Sequence, residues 1–181
     1  PQIIMVSGSY GKTTTKNFVY QLISHKYRTQ MTPGNINTPI GIAVWLKQKL
    51  KLSTEVIIVE ADSDLPDKLR QCCHITPPNI AVLTNIGDQH LYRFGGSFGQ
   101  LALGLSEMFT HAESNATLIT TNDSAGKLID FQPTEDQTLT IINREQQLTY
   151  NGQKIDASHL SDSAQANLQM ALKVAEKLEI E

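Results

Sequence analysis

Short apolar runs alternate with segments of helical period along most of this chain. The first run, Ile3-Ile4-Met5-Val6, has β character and stops at Ser7-Gly8. Residues 12–25 then place Phe18, Val19, Leu22 and Ile23 on one helical face. Pro33-Gly34-Asn35 breaks the chain before a second helix predicted around 40–50. Val56-Ile57-Ile58-Val59 is a run without polar alternation, the pattern of a strand buried on both faces, and it ends in Glu60. A short helix is predicted from Asp64 to Cys73, stopped by Pro77-Pro78, and a third strand from Ile80 to Leu83.

Further along, Phe98, Leu101, Ala102, Leu105, Met108 and Phe109 recur at helical spacing over 98–109. Ala116–Thr120 and Leu139–Ile142 read as a fourth and a fifth strand. Tyr150-Asn151-Gly152-Gln153 is a two-residue hairpin signal between Leu148-Thr149 and Lys154-Ile155. A last helix carries Ala164, Leu168, Ala171, Leu172, Ala175 and Leu178 on one stripe. Strands alternating with helices predict an α/β fold: a mostly parallel sheet flanked by helices, with a small β-hairpin near the C-terminal end. No internal repeat, low-complexity tract or linker interrupts the pattern, so residues 1–181 are expected to form one domain.

Composition narrows the class. With 40% hydrophobic and 18% charged residues, the chain fits neither a disordered nor a fibrous protein. A formal net charge of −3 and a pI near 6.0 argue against a broadly basic nucleic-acid surface. No apolar run approaches the roughly 20 residues that span a bilayer, so no membrane partner is expected. The adjacent Cys72 and Cys73 have neither disulfide nor zinc-site spacing, which points to a reducing compartment. The chain opens on Pro1 rather than Met, compatible with processing and with a piece of a longer protein.

The strongest chemical signal is Ser7-Gly8-Ser9-Tyr10-Gly11-Lys12-Thr13-Thr14, set between a buried strand and an amphipathic helix, the context of a phosphate loop (P-loop). Backbone N–H groups of such a turn face phosphates, and the helix dipole favours negative charge there. Gly8 and Gly11 allow close approach, Lys12 supplies charge for the β- and γ-phosphates, and the Thr13 hydroxyl is a Mg²⁺ ligand. Position 6 is Val where the strict pattern has Gly, which leaves open a plain glycine turn with a surface lysine. Glu60, at the end of its strand, is a candidate oxygen ligand for Mg²⁺ or a solvated strand-end acid. His90 follows the third strand in Thr84-Asn85-Ile86-Gly87-Asp88-Gln89-His90 and would share that edge. His25, His74, His111 and His159 have no comparable setting.

Three ordered strings, Gly-Ser-Tyr-Gly-Lys-Thr-Thr-Thr-Lys (8–16), Pro-Gly-Asn-Ile-Asn-Thr-Pro-Ile-Gly (33–41) and Thr-Asn-Ile-Gly-Asp-Gln-His (84–90), resemble the Mur ligase family. The first two look most like the MurF type, which adds D-alanyl-D-alanine, while Glu60-Ala61-Asp62 resembles the MurC type. The resemblance covers residues 3 to about 178 and matches the family's central ATP-binding domain only. It implies a cytoplasmic ATP-dependent amide ligase of peptidoglycan-precursor synthesis, with ATP and Mg²⁺ as cofactors and an acyl-phosphate intermediate. A UDP-linked muramyl peptide and an amino acid or dipeptide would be partners of the full-length enzyme. The N-terminal UDP-substrate domain and the C-terminal amino-acid domain would be absent here, and the isolated domain would not ligate.

Residue by residue, the resemblance implies nucleotide contacts from Gly8, Ser9, Tyr10, Gly11, Lys12, Thr13, Thr14 and Asn85, with Asn167 near the adenine. It implies Thr13 and Glu60 on one Mg²⁺, His90 beside a second, Lys12 and His90 as catalytic residues, and Asn35 on the substrate side. Two departures stand out. Leu105 occupies the position of a lysine that is carbamylated in many members, and Ser163-Ala164 replaces the His-Asn pair before the final helix. These departures motivate one alternative, a degenerate nucleotide-binding module without ligase activity. A small P-loop kinase is another, though it leaves the strings at 33–41 and 84–90 without a role.

Overall fold

The computed structural model describes residues 1–34, 36–128, 131–143 and 147–180. The apolar runs form β1 (Gln2–Ser7), β3 (Val56–Glu60), β4 (Ile80–Leu83), β5 (Thr117–Thr121) and β6 (Thr138–Ile142). With β2 (Thr29–Met31) they make a six-stranded sheet in the order β2-β3-β1-β4-β5-β6, every neighbouring pair parallel. The helices are α1 (Lys12–Ile23), α2 (Pro39–Lys49), α3 (Lys68–Ile75), α4 (Phe98–Thr110), the four-residue α5 (Asn122–Ala125) and α6 (Asp162–Lys177).

Successive side chains of each central strand enter opposite layers, because strand side chains alternate faces. Ile4, Val6, Ile58 and Val82 pack with Val19 and Ile23 of α1 and with Met170, Val174 and Ala175 of α6. Met5, Ile57, Val59 and Leu83 pack with Trp45 of α2, Leu69 of α3 and Leu101, Leu105 and Phe109 of α4. Both faces are therefore dry, and each fully buried Ile or Leu contributes about 1.5–3 kcal/mol relative to exposure. Cys72 and Cys73 belong to this second layer as free thiols, and burial pushes both up to about 12.

The predicted hairpin is β7 (Thr149–Tyr150) against β8 (Gln153–Lys154), with Asn151 at φ 49° and Gly152 at φ 76°. Positive φ at both central residues is what a tight turn of this hand requires. Three elements differ from the sequence expectation, one of them the four-residue α5, which has no periodicity to read. α3 begins at Lys68, not Asp64, because Pro66 disfavours helix in the residue before it and Asp67 takes φ 64°. β2 was not foreseen: three half-buried residues carry no apolar run, and only pairing with β3 makes them a strand.

The order of the strands creates the site. From β1 the chain passes to β2 and β3 on one side, then crosses to β4 on the other. The crevice beyond the carboxyl ends of β1, β3 and β4 lies at that reversal, where open α/β sheets bind ligands. Register brings the ends together, pairing Val6 with Glu60 and Ser7 with Leu83.

Candidate phosphate-binding site

The turn from β1 into α1 is made by two glycines whose conformations other residues resist. Gly8 has φ 134°, and a Cβ there would sit 2.2 Å from Thr84 Oγ1. Gly11, the residue capping α1, has φ 85°, and a Cβ there would lie 2.6 Å from Asn167 Oδ1. The loop after β4 is stitched onto this turn. Ser9 N–H donates to Asn85 O at 3.0 Å, and Tyr10 N–H to Asn85 Oδ1 at 2.8 Å. Thr84 Oγ1 donates to Tyr10 O at 2.6 Å, Gly87 N–H to Ser9 Oγ at 2.9 Å, and Tyr10 Oη to Asp88 Oδ1 at 2.8 Å.

α1 is open where other helices are closed. Thr38, Ser97 and Ser161 cap α2, α4 and α6 with side-chain oxygens, whereas Gly11 leaves the first turn of α1 uncapped and without an acidic residue. Unpaired N–H groups and the positive end of the helix dipole thus face the cleft, an arrangement suited to an anion.

Lys12 Nζ lies in the cleft, 2.7 Å from Gly8 O, 3.3 Å from Ser9 O and 3.2 Å from Asp62 Oδ1. Thr13 Oγ1 donates to the Glu60 carboxylate, 3.0 Å from Oε2 and 3.2 Å from Oε1. Glu60 is buried and ion-paired with Lys16 at 2.9 Å, and Lys16 Nζ also donates to Thr32 O at 2.9 Å. Across the cleft, His90 takes φ 63° and brings Nε2 to 3.5 Å from Asp62 Oδ2. That nitrogen is buried without a hydrogen-bond partner.

The cleft has a volume of about 360 Å³ and is lined by Ser9, Tyr10, Gly11, Lys12, Thr13, Thr14, Asn37, Glu60, Asp62 and Gln89. A second cleft of about 220 Å³ adjoins it, between Tyr10, Gly11, Thr14, Thr84, Asn85, Ser163, Ala166 and Asn167. Tyr10, Gly11 and Thr14 border both. A larger groove, about 620 Å³, lies at the β2 edge among Tyr20, Met31, Ile36 and Trp45, and no carboxylate, histidine or cysteine lines it. Size therefore does not mark the chemistry here.

The expected residues Gly8, Ser9, Tyr10, Gly11, Lys12, Thr13, Thr14, Glu60, Asn85, His90 and Asn167 all gather around these two clefts. Asn35 lies outside the described residues. Leu105 is buried in the core against α3 and the sheet, as its apolar stripe implied, and offers no oxygen to the cleft.

Sequence reasoning gave no role to Lys16, Asp62 or Gln89. Lys16 had a readable signal, since a lysine inside the buried stripe Lys12, Thr15, Lys16, Val19, Ile23 demands a buried partner. Asp62 had little, because it lies beyond the strand and only the loop, through Asp62 N–H to Asn37 O at 2.9 Å, turns it inward.

Oxygen donors from Thr13 and Glu60 suit a hard cation such as Mg²⁺, which keeps several waters and binds through one or two carboxylates plus phosphate. No group of three or more His, Cys, Asp or Glu is placed to hold a metal by itself among the described residues. Phosphate oxygens would have to complete such a site.

The fold and the loop define a P-loop α/β domain with its cleft at the strand reversal. Residues 6–179 match the family model described as "Mur ligase middle domain", and the chain belongs to that family. Over 122 residues it is 30% identical to the UDP-N-acetylmuramoyl-tripeptide--D-alanyl-D-alanine ligase of Bacillus subtilis, covering 67% of this chain and 26% of the relative. It is also 27% identical over 160 residues to the UDP-N-acetylmuramoylalanine--D-glutamate ligase of Roseobacter denitrificans, covering 87% of this chain and 32% of that one. The MurF ligase of Thermotoga maritima, solved in complex with ADP, superposes with a TM-score of 0.84 at 26% identity, covering 99% of this chain and 46% of that protein. The chain thus spans about a quarter to a third of these curated relatives' length. The family match does not favour the kinase or the degenerate-module reading. No helix among the described residues is long and apolar enough to cross a membrane.

Proposed function

We propose that this chain is the ATP-binding domain of a cytoplasmic, ATP-dependent carbon–nitrogen ligase of peptidoglycan-precursor synthesis, of the MurF type. Its cofactors are ATP and Mg²⁺. Residues 1–181 form that domain, and the UDP-linked muramyl peptide and the incoming amino acid or dipeptide contact other parts of the full-length enzyme. The observation that carries this reading is Lys12 Nζ in a cleft between the uncapped start of α1 and the Thr13–Glu60 pair.

Each residue has a role that follows from its position. The loop backbone from Gly8 to Thr14 wraps the β-phosphate, and Lys12 neutralises the β- and γ-phosphates. Asn85 holds the loop in shape through Ser9 and Tyr10. Asn167, packed on Gly11, lines the second cleft, where a base attached to the phosphates would lie. Thr13 and Glu60 would hold one Mg²⁺, and His90 faces the γ-phosphate end. Bound Mg²⁺ supplies charge neutralisation of the transferring phosphoryl group.

The γ-phosphoryl group passes to a substrate carboxylate, releasing ADP. An amine then attacks the acyl phosphate, and inorganic phosphate leaves as the amide forms. This domain contributes positioning and electrostatic stabilisation, the main catalytic needs of phosphoryl transfer. Lys12→Ala should weaken Mg·ATP binding by about 10- to 100-fold, the value of a charged hydrogen bond, as measured by titration calorimetry. Unchanged affinity would refute the site.

A further inference from the structure

α2 lacks a polar face along most of its length. From Pro39 to Leu46 none of its residues has a polar side chain. A helix apolar all round is normally enclosed on every side. Here only one side is covered: Pro39, Ile42 and Trp45 are buried, whereas Ile40 is 79% exposed and Val44 46%. The same stripe continues to Lys47, since residues three and four apart share a helical face. It leads to the turn before β3, where Leu50 is partly exposed and Leu52 fully exposed.

This turn is ordered from beneath. Gln30 of β2 donates Nε2–H to Lys49 O at 2.9 Å and accepts Lys51 N–H on Oε1 at 2.8 Å, while Arg28 Nε donates to Ser53 O at 2.7 Å. The leucines therefore project from a fixed base, and presenting them to a partner costs little conformational entropy. The groove at the β2 edge has Lys49 and Lys51 in its lining beside Met31, Ile36 and Trp45, so the apolar surface extends past the turn.

Charge singles out the same region. Residues 39–54 contain Lys47, Lys49 and Lys51 and no acidic residue, so the remaining residues carry −3 − 3 = −6. All three lysines are exposed, and none is ion-paired with a described residue. The helix dipole favours Lys47 and Lys49 in the last turn of α2, but it accounts neither for Lys51 nor for the leucines. Protein interfaces separate an apolar centre from a polar rim. In Lys49-Leu50-Lys51-Leu52 the two alternate residue by residue. A lipid headgroup layer accepts both together, with ammonium groups at phosphates and apolar side chains at the acyl boundary.

We propose that the corner between α2 and β3 docks on an anionic lipid surface, with Leu50 and Leu52 entering the headgroup layer and Lys47, Lys49 and Lys51 meeting lipid phosphates. Such contact needs no membrane-spanning helix. The corner precedes β3, at the amino ends of the strands, while Asn37 at the other end of α2 lines the phosphate cleft. An 11-residue helix is about 16 Å long, so docking leaves the cleft open on the far side.

The test is co-sedimentation of the 181-residue chain with vesicles of equimolar phosphatidylglycerol and phosphatidylcholine, and with vesicles of phosphatidylcholine alone. Partition onto the anionic vesicles should be at least about 10-fold stronger, and should vanish at about 1 M salt, where the screening length is about 3 Å. Each of Lys47→Gln, Lys49→Gln and Lys51→Gln should weaken it about fivefold, and the triple substitution should lower it to the level on phosphatidylcholine. Leu52→Ser should also weaken it about fivefold, as partial burial of one leucine allows. Lys154→Gln, Lys173→Gln and Lys177→Gln together make the same change of charge on β8 and α6, and should retain most of the binding. Thermal unfolding verifies that each variant keeps its fold. No binding to the anionic vesicles at low salt overturns the proposal and leaves the corner to a protein partner. Equal binding to both kinds of vesicle overturns it too, as does an equal loss in the two triple variants.

Discussion

Lys12 and Lys16 sit one turn apart on the same helix and carry the same charge, yet the fold uses them in opposite ways. Lys16 is enclosed, bonded to Glu60 and Thr32 O, and removed from solvent. Lys12, its side chain 10% exposed, lines the cleft against loop carbonyls and a carboxylate that is 19% exposed. The difference comes from what each faces: Lys16 points under the sheet edge at the end of β3, Lys12 into the crevice beyond it. One lysine holds the site together, and the other is available to a ligand.

Removing the enclosed lysine should have the largest effect. Lys16→Met leaves Glu60 buried without a counter-ion, and should cost about 3–5 kcal/mol in denaturant unfolding. Replacing Glu60 by Gln in the same chain should recover much of that loss, because an uncompensated buried charge is worse than no pair at all. A loss below about 1 kcal/mol in Lys16→Met would mean that the pair is solvated and the contrast with Lys12 is false.

An intermediate effect is expected where the cleft meets α6. Gly11→Ala forces a Cβ into a left-handed conformation and against Asn167, and should cost about 1–3 kcal/mol, read by thermal unfolding. Asn167→Ala added to it should relieve the clash while leaving the backbone strain, dividing the two causes. Lys12→Ala should have the smallest effect on stability, below about 1 kcal/mol in denaturant unfolding, since water can reach Asp62 once the ammonium is gone. A large loss there would make Lys12 a structural residue like its neighbour.

Much of this architecture could be read along the chain. β1, β3 and β4 are covered on both faces, so burial leaves an uninterrupted apolar run in each, while β5 is equally buried but keeps threonines around Leu118-Ile119. The hairpin was legible from Asn151-Gly152, because few residues tolerate positive φ. β2 and α5 were not: an edge strand of three residues and a helix of four have no periodicity to read. α3 starts late because Asp67 bends the chain, where its carboxylate pairs with Arg70 and its N–H reaches Glu107 on α4. That last contact spans 40 residues.

The site divides along the same line. The phosphate loop is a local object, since its glycines, lysine and threonine are consecutive and their chemistry follows from order alone. By itself, therefore, the sequence determined the parallel α/β fold, a loop suited to phosphate, and the candidates Glu60 and His90, while Asn85 and Asn167 came from the family resemblance. The tertiary structure alone decided that Lys16 neutralises Glu60, that Asp62 stands between Lys12 and His90, and that Asn167 packs on Gly11. Each of these pairs joins residues between 28 and 156 positions apart, as 90 − 62 = 28 and 167 − 11 = 156. Charge balance in a buried cleft acts over a few ångströms of space, and only the strand order sets which residues share that distance.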